Sequence, residues 1–297
     1  MKILVAGSQG QLARALIEQA RTRPGIHVVA LGRPQLDLAD TTTIARALDT
    51  ERPQLVINAA AYTAVDKAES EPQAAFAINR DGAGALAAAA KAHGCPIIHV
   101  STDYVFDGAK PDTYVESDVP NPTGIYGRSK LEGEAAVTAA NPAHVILRTA
   151  WVYAPYGQNF LRTMLRLARE RPELRVVADQ RGNPTYAPHL ADAILDIAEH
   201  VATHTLSPAW GVYHAAASGE TTWHGFASEI VRSAACLGVP QVPVIPITTA
   251  DYPTPARRPA NSRLDCGKLE RTFGVRQPSW QQGVADCIAQ LAKSPIA

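Results

Sequence analysis

The chain has 297 residues, 46% hydrophobic and 19% charged, and its 28 basic and 28 acidic side chains leave a formal net charge of zero. That length buries one large core or two smaller ones, in an ordinary globular balance. With no basic block, nucleic-acid and anionic-membrane partners have little support and neither is expected, whereas a small anion needs only a few local arginines.

The opening Met1-Lys2-Ile3-Leu4-Val5-Ala6-Gly7 is too short for a signal-peptide core and has no small-residue cleavage site after it. Strands are predicted at Ile3–Ala6, His27–Leu31, Leu55–Asn58, Ile97–Ser101 and Val145–Arg148, mostly apolar on both faces. Helices are predicted between them at Gln11–Ala20, Thr41–Asp49, Gln73–Ala92 and Tyr126–Ala140. Lys91 and His93 cut the Ala83–Ala92 run far short of membrane-spanning length. Such alternation predicts an α/β fold, a Rossmann-like doubly wound parallel sheet covered on both sides.

After Arg148 the rhythm loosens. Helices are predicted at Phe160–Arg171, Leu190–Ala202 and Thr222–Cys236, with short strands near Arg175–Ala178 and Val212–His214. Prolines from Pro240 to Pro259 predict an extended, turn-rich stretch. The expected division is a dinucleotide-binding domain at 1–150, with some later segments returning to it. A smaller, mainly substrate-binding α/β domain is expected at 151–297. Cys95, Cys236, Cys266 and Cys287 stand far apart, as reduced thiols do, and a cytoplasmic protein is expected.

Gly7-Ser8-Gln9-Gly10-Gln11-Leu12-Ala13 follows the first strand and opens the first helix. Gly7 suits a tight turn, Gly10 the approach of a pyrophosphate, and small Ala13 close helix–strand packing. The helix start offers free N–H groups and a positive dipole end to phosphate. At the end of the second strand, where an acidic residue would take a ribose 2′-hydroxyl, stands Arg33. It suits a 2′-phosphate, favouring NADPH with NADH still possible, or it is an ordinary solvated arginine. Asp37, followed by Leu38, is better placed for an adenine edge than for the ribose, and Asp40 is expected to cap the next helix.

Asn58-Ala59-Ala60-Ala61 leaves room for a cofactor at the third strand's C-terminal edge, although tight packing also explains alanines. Asn79 is either an anchor for a neighbouring catalytic helix or a surface residue. Ser101-Thr102 ends the fourth strand, where one of two neighbours faces the cleft and can hydrogen-bond an oxygen gaining charge. Tyr126 and Lys130 lie one helical turn apart, a phenol beside an ammonium. By itself that spacing arises by chance in about one such chain in five; its company is what gives it weight.

In their order and spacing these motifs resemble the extended short-chain dehydrogenase/reductases, and within them the dTDP-4-dehydrorhamnose reductase family. Further similar stretches are Asn58–Lys67, Ala68–Pro72, Ser101–Gly108, Arg148–Tyr153, Asp179–Pro184 and Arg258–Leu264, so the resemblance covers most of the chain. It implies a triad of Thr102, Tyr126 and Lys130. Hydride from NAD(P)H would then reduce the C4 carbonyl of a dTDP-4-keto-6-deoxy sugar, with Tyr126 as proton donor and Thr102 on the same oxygen. Lys130 would hold the nicotinamide ribose and favour the tyrosinate. The resemblance further implies a cofactor cradle of Gly7, Gln9, Gly10, Gln11, Leu12, Arg33, Asp37, Leu38 and Asn58 to Ala61. The sugar pocket would hold Asp103, Tyr104, Trp151 and Asn159, with Arg257 or Arg258 on the diphosphate. Some relatives are magnesium-bridged dimers using a carboxylate of the first helix; here no carboxylate appears before Glu18. Magnesium therefore stays uncertain, no metal ligand is assigned, and monomer and homodimer both remain open. So do a nucleotide-sugar epimerase or dehydratase with bound NAD, and a non-catalytic regulatory subunit on this fold.

Overall fold

The structure, a computed structural model, describes residues 1–203 and 209–293. Residues 204–208 and 294–297 of the expected second domain lie outside the described residues. Six parallel strands form the central sheet: β1 (Lys2–Ala6), β2 (His27–Leu31), β3 (Leu55–Asn58), β4 (Ile97–Thr102), β5 (His144–Thr149) and β6 (Gly211–His214). Their order across the sheet is β6-β5-β4-β3-β1-β2. β3 and β5 are buried along their whole length, which is why they read as unbroken apolar runs.

Strand alternation sends side chains into two separate layers. Ile3 and Val5 pack with the helices Gln11–Ala20, Ala187–Thr203 and Gly267–Phe273 on one face. Leu4 and Ala6 pack with Thr41–Glu51, Ala83–Ala92 and Ile125–Ala140 on the other. The strand order turns back between β1 and β3, opening the crevice where such sheets take ligands. A second apolar cluster, including Tyr153, Leu161, Phe226, Trp280 and Ile288, forms the core of the smaller lobe.

Two predicted elements differ from what is observed. The expected single helix Gln73–Ala92 is three consecutive pieces, Pro72–Phe76, a π-helical Ala77–Gly82 and Ala83–Ala92. The wide π turn lies at tight contacts: a Cβ on Gly82 would sit 2.3 Å from the Leu38 carbonyl, and one on Gly133 would sit 2.0 Å from that of Asn79. In the proline-rich stretch, Val244–Ile247 is a regular strand, parallel to Leu174–Val177. Pro246 survives there because two strands alone make the sheet, leaving an edge without a neighbour.

Candidate active site

The loop after β1 is built for an anion. Gly7 has φ +105°, the left-handed region, and lies against the backbone of Ala59 and Ala60 at the end of β3. Gly10 caps the helix Gln11–Ala20 without a side-chain hydrogen bond, and no acid stands in the first turn. A Cβ on Gly10 would meet nothing within 4 Å. Free N–H groups facing open space fit a pyrophosphate, so these residues suit a dinucleotide. Gln9 and Arg33 are exposed beside this loop, and Gly32 packs on Ser8. Asp40 caps the helix Thr41–Glu51 as expected, accepting from Thr42 N–H at 3.0 Å. Asp37 closes a local turn onto Ala39 N–H, while the side chains of Leu12 and Leu38 belong to the core. Either leucine therefore has only its backbone to offer a cofactor.

The helix Ile125–Ala140 carries Tyr126 and is pinned at close range. A Cβ on Gly127 would sit 2.1 Å from the Tyr104 carbonyl, so only glycine lets the helix approach the loop after β4. Glu69 accepts from Ile125 N–H at 2.8 Å, placing a carboxylate at the positive end of the helix. Asn79 is buried and donates to Ser129 Oγ at 3.0 Å, which gives it the anchoring contact rather than a surface position.

Ser101 and Thr102 diverge as strand neighbours must. Ser101 donates inward to Glu134, which also takes a two-pronged bond from Arg148, Nε to Oε1 at 3.0 Å and Nη2 to Oε2 at 2.7 Å. Thr102 faces the cleft, with Oγ1 donating to Asp103 Oδ1 at 2.9 Å and accepting from Tyr104 N–H at 3.2 Å. Tyr126 stands over it, its ring edge-on to Tyr104 with centroids 5.5 Å apart. Burial pushes the Tyr126 phenol up to about 12, a hydrogen bond with Thr102 pulls it back, and Asp103 adds to the rise. The phenol therefore holds its proton at neutral pH.

Lys130 is buried and its ammonium position is occupied by β4: Nζ donates to the Val100 carbonyl at 2.7 Å and lies 3.4 Å from His99 Nε2. Burial brings this amine down to about 8, with Glu134 opposing the fall. Beside burial, Thr102 and Asp103 are the groups that shift the Tyr126 phenol in this structure.

Asp103 is 2% exposed, and burial raises its carboxyl to about 6 against hydrogen bonds from Ser262 and Thr102. Being raised above its unfolded value of about 3.9, it adds stability in acid that is lost as pH rises through about 6. Asp103→Asn keeps an acceptor for Thr102 and cannot ionise. Urea midpoints at a series of pH values should show the wild type losing on the order of 1–3 kcal/mol relative to the variant between acid and neutral pH. A wild-type-to-variant difference that does not change with pH would rule out this assignment.

Across the cleft, Trp151 has φ +48°, a strained conformation for a non-glycine residue. Its indole stacks on Trp223 with centroids 3.6 Å apart and an interplanar angle of 8°, and lies so close over Gly182 that a Cβ there would meet it at 2.5 Å. Both rings keep part of their surface open. Arg258 pairs with Asp66 at 2.9 Å, tying the proline-rich segment to the stretch after β3, while Arg257 is exposed. Asn159, expected at the sugar, is engaged within the protein in this structure. Its Oδ1 caps the helix Phe160–Glu170, and its Nδ2 bonds Gln11 Oε1 and Ala154 O, both at 2.8 Å. The amide is spent on joining the glycine loop to the smaller lobe. Asn58 likewise turns inward, its Nδ2 3.1 Å from His99 Nδ1 and its Oδ1 accepting from Ala60 N–H, which leaves the alanines after it to line the edge of β3.

The family described as RmlD substrate binding domain matches residues 1–293. A dTDP-4-dehydrorhamnose reductase of Sinorhizobium fredii is 52% identical over 95% of each chain. A crystal structure of a dTDP-4-dehydrorhamnose reductase from Clostridium acetobutylicum superposes with a TM-score of 0.91 at 38% identity, covering 98% of this chain and 99% of that one. Another, from Bacillus anthracis in complex with NADP, gives 0.89 at 33% identity over 97% and 99%. The chain belongs to the dTDP-4-dehydrorhamnose reductase family. It is an oxidoreductase on a Rossmann-type fold, and its family acts on a nucleotide-linked sugar with a nicotinamide cofactor.

For a member of this family, sequence reasoning passed over His99, Glu134, Arg148 and Trp223. A signal existed for three of them. His99 and Arg148 are polar residues inside strands otherwise apolar on both faces, so each required a buried partner. Glu134 stands one turn beyond Lys130 on a helix facing that sheet. Among the described residues no helix is long and apolar enough to cross a membrane, and no three His, Cys, Asp or Glu side chains are grouped to hold a metal.

Proposed function

We propose that the chain uses NADPH to reduce the C4 keto group of dTDP-4-dehydro-β-L-rhamnose, giving dTDP-β-L-rhamnose. The observation that carries this reading is the proton-bearing Tyr126 beside Thr102 at the C-terminal end of β4, in a member of that reductase family. When bound, the reduced nicotinamide supplies hydride to C4. Tyr126 gives its phenolic proton to the C4 oxygen, and Thr102 hydrogen-bonds that oxygen as charge builds on it. Lys130 holds the nicotinamide ribose. Asp103, Tyr104 and Trp151 form the sugar side of the cleft, with Arg257 and Arg258 at the diphosphate end. The free N–H groups from Gly10 to Leu12 take the pyrophosphate, with Gln9 and the alanines after Asn58 beside it.

The test is NADPH absorbance in the presence of that keto sugar. Consumption matching the sugar added is expected. No consumption by the wild type, or retained NAD with interconversion of sugars, removes the reading. For the cofactor, Arg33 is exposed just after β2, where a cation suits a 2′-phosphate, and a charge-assisted contact contributes about 1.5–3 kcal/mol. Arg33→Ala should raise KM for NADPH on the order of tenfold or more and leave that for NADH little changed. An equal rise for both cofactors would assign Arg33 to solvent.

A further inference from the structure

β5 ends at Thr149, and three residues later the chain enters the smaller lobe, where Val152–Tyr153 runs parallel to Thr185–Tyr186. Trp151 is the corner between them. Its φ of +48° lies in the left-handed region, which a bulky residue keeps only where its surroundings hold it. Main-chain pairing fixes its carbonyl, which accepts from Thr185 N–H at 3.2 Å. The ring is held from elsewhere in the chain. Arg181–Gly182 pairs antiparallel with Thr221–Thr222, Gly182 opposite Thr221, and Trp223 follows directly as the first residue of the helix Trp223–Ser233. One ribbon thus carries both the glycine that clears the Trp151 ring and the indole that covers it. A Cβ on Gly182 would lie 2.5, 2.7 and 2.8 Å from Cε2, Cζ2 and Nε1 of Trp151, so a larger residue there would displace the indole.

We propose that Trp223 is a positioning residue for the sugar site: together with the bare Cα of Gly182, it holds Trp151 in its left-handed conformation and so fixes the indole on the sugar side of the cleft. Centroids 3.6 Å apart and planes 8° from parallel leave the two rings little lateral offset, so the face of Trp223 covers that of Trp151. Trp223 is itself backed by Phe160, 4.6 Å away at 50°, and its helix is capped by Thr222, which accepts from Gly225 N–H at 3.0 Å. Trp151 packs against two apolar clusters, that of the smaller lobe and the one containing Val105, Phe106 and Tyr114. A swing about its own backbone would carry the ring away from one of them. Without the second indole, the strained corner relaxes toward extended backbone and the ring loses its fixed place. Sugar binding weakens, while Tyr126 and the glycine loop, carried on other elements, keep theirs. Trp223 acts through Trp151 and needs no contact of its own with the substrate.

The inference rests on the proposed reduction for its substrate, and one arm of its test needs no turnover. With four tryptophans in the chain, selective labelling in otherwise deuterated protein gives a sparse spectrum, and Trp151 is assigned by its loss in Trp151→Leu. A left-handed residue brings its amide proton close to its own Hα. A strong NOE between them is expected in the wild type and a weak one in Trp223→Leu; a weak one in the wild type, or a strong one in both, overturns the proposal. In steady-state kinetics, Trp223→Leu should raise KM for the keto sugar about five- to tenfold, with kcat and KM for NADPH unchanged. Trp223→Phe keeps an aromatic face and should bring KM back to within about twofold of the wild type. In a Trp151→Leu background, Trp223→Leu should add nothing, because the indole it acts through is gone. An unchanged KM, a Phe variant no better than Leu, or the same rise in both backgrounds overturns the proposal. If Trp223→Leu does not fold, Gly182→Ala decides: it keeps both indoles and removes the clearance, and a wild-type KM for the sugar overturns the proposal. Were the chain no reductase, the NOEs would stand as expected while even the wild type consumed no NADPH, so the two failures are distinguishable.

Discussion

Tyr126→Phe should lower kcat for sugar-dependent NADPH oxidation by roughly a hundred- to ten-thousand-fold, while KM for either substrate changes little. The reason is positional. Among the cleft hydroxyls, the Tyr126 phenol is one that keeps its proton at neutral pH and stands against Thr102, the residue ending β4. Phenylalanine preserves the edge-on contact with Tyr104, so the helix stays in place and only the proton is lost. Steady-state kinetics with a thermal melt as control make the comparison. If Tyr126→Phe kept wild-type kcat, the proton would have to come from elsewhere. Thr102 is a poor replacement, because an aliphatic hydroxyl is a far weaker acid than a phenol.

The largest stability effect is expected beneath the cleft. Side chains of Arg148 and Glu134 are only 4% and 6% exposed, and the carboxylate takes three hydrogen bonds, one from Ser101 and two from Arg148. Glu134→Ala leaves the guanidinium buried without a counter-charge, a change that costs about 3–5 kcal/mol. Urea unfolding should record that loss. The double variant Glu134→Met with Arg148→Met should recover much of it, because the buried guanidinium is then gone as well. A single-variant loss below about 1 kcal/mol would mean that water or another group reaches Arg148.

Much of this arrangement was legible in the sequence. The strands of the sheet, its parallel wiring and the glycine loop followed from apolar runs and from Gly7 and Gly10. Asp40 declared itself as a cap by standing just before a helical pattern. What escaped depends on approach between distant segments. That Gly127 exists to clear the Tyr104 carbonyl is a statement about two backbones, and spacing along the chain carries no trace of it. Asn159 reads equally well as a ligand contact or a cap, since an amide serves both, and only the nearness of Gln11 separates them. Lys130 illustrates the same limit from the side of charge. Its place one turn after Tyr126 predicts a shared face, but not that Val100 and His99 would draw its amine back onto β4.

The sixth strand has a consequence for how the molecule can be cut. β6 comes from residues 211–214 yet pairs with β5 along Val145 to Arg148, and the helix Ala187–Thr203 lies over the first helix. The chain thus leaves the sheet after β5, builds part of the smaller lobe, and returns to close the sheet's edge before leaving again. A fragment ending near residue 150 would present β5, buried along its whole length, as a bare apolar edge open to any other strand. The central sheet and the smaller lobe are therefore two territories of one continuous thread rather than exchangeable modules. On the proposed reading, variation in sugar choice comes by altering loops such as those bearing Trp151 and Arg258 rather than by swapping the lobe that carries them.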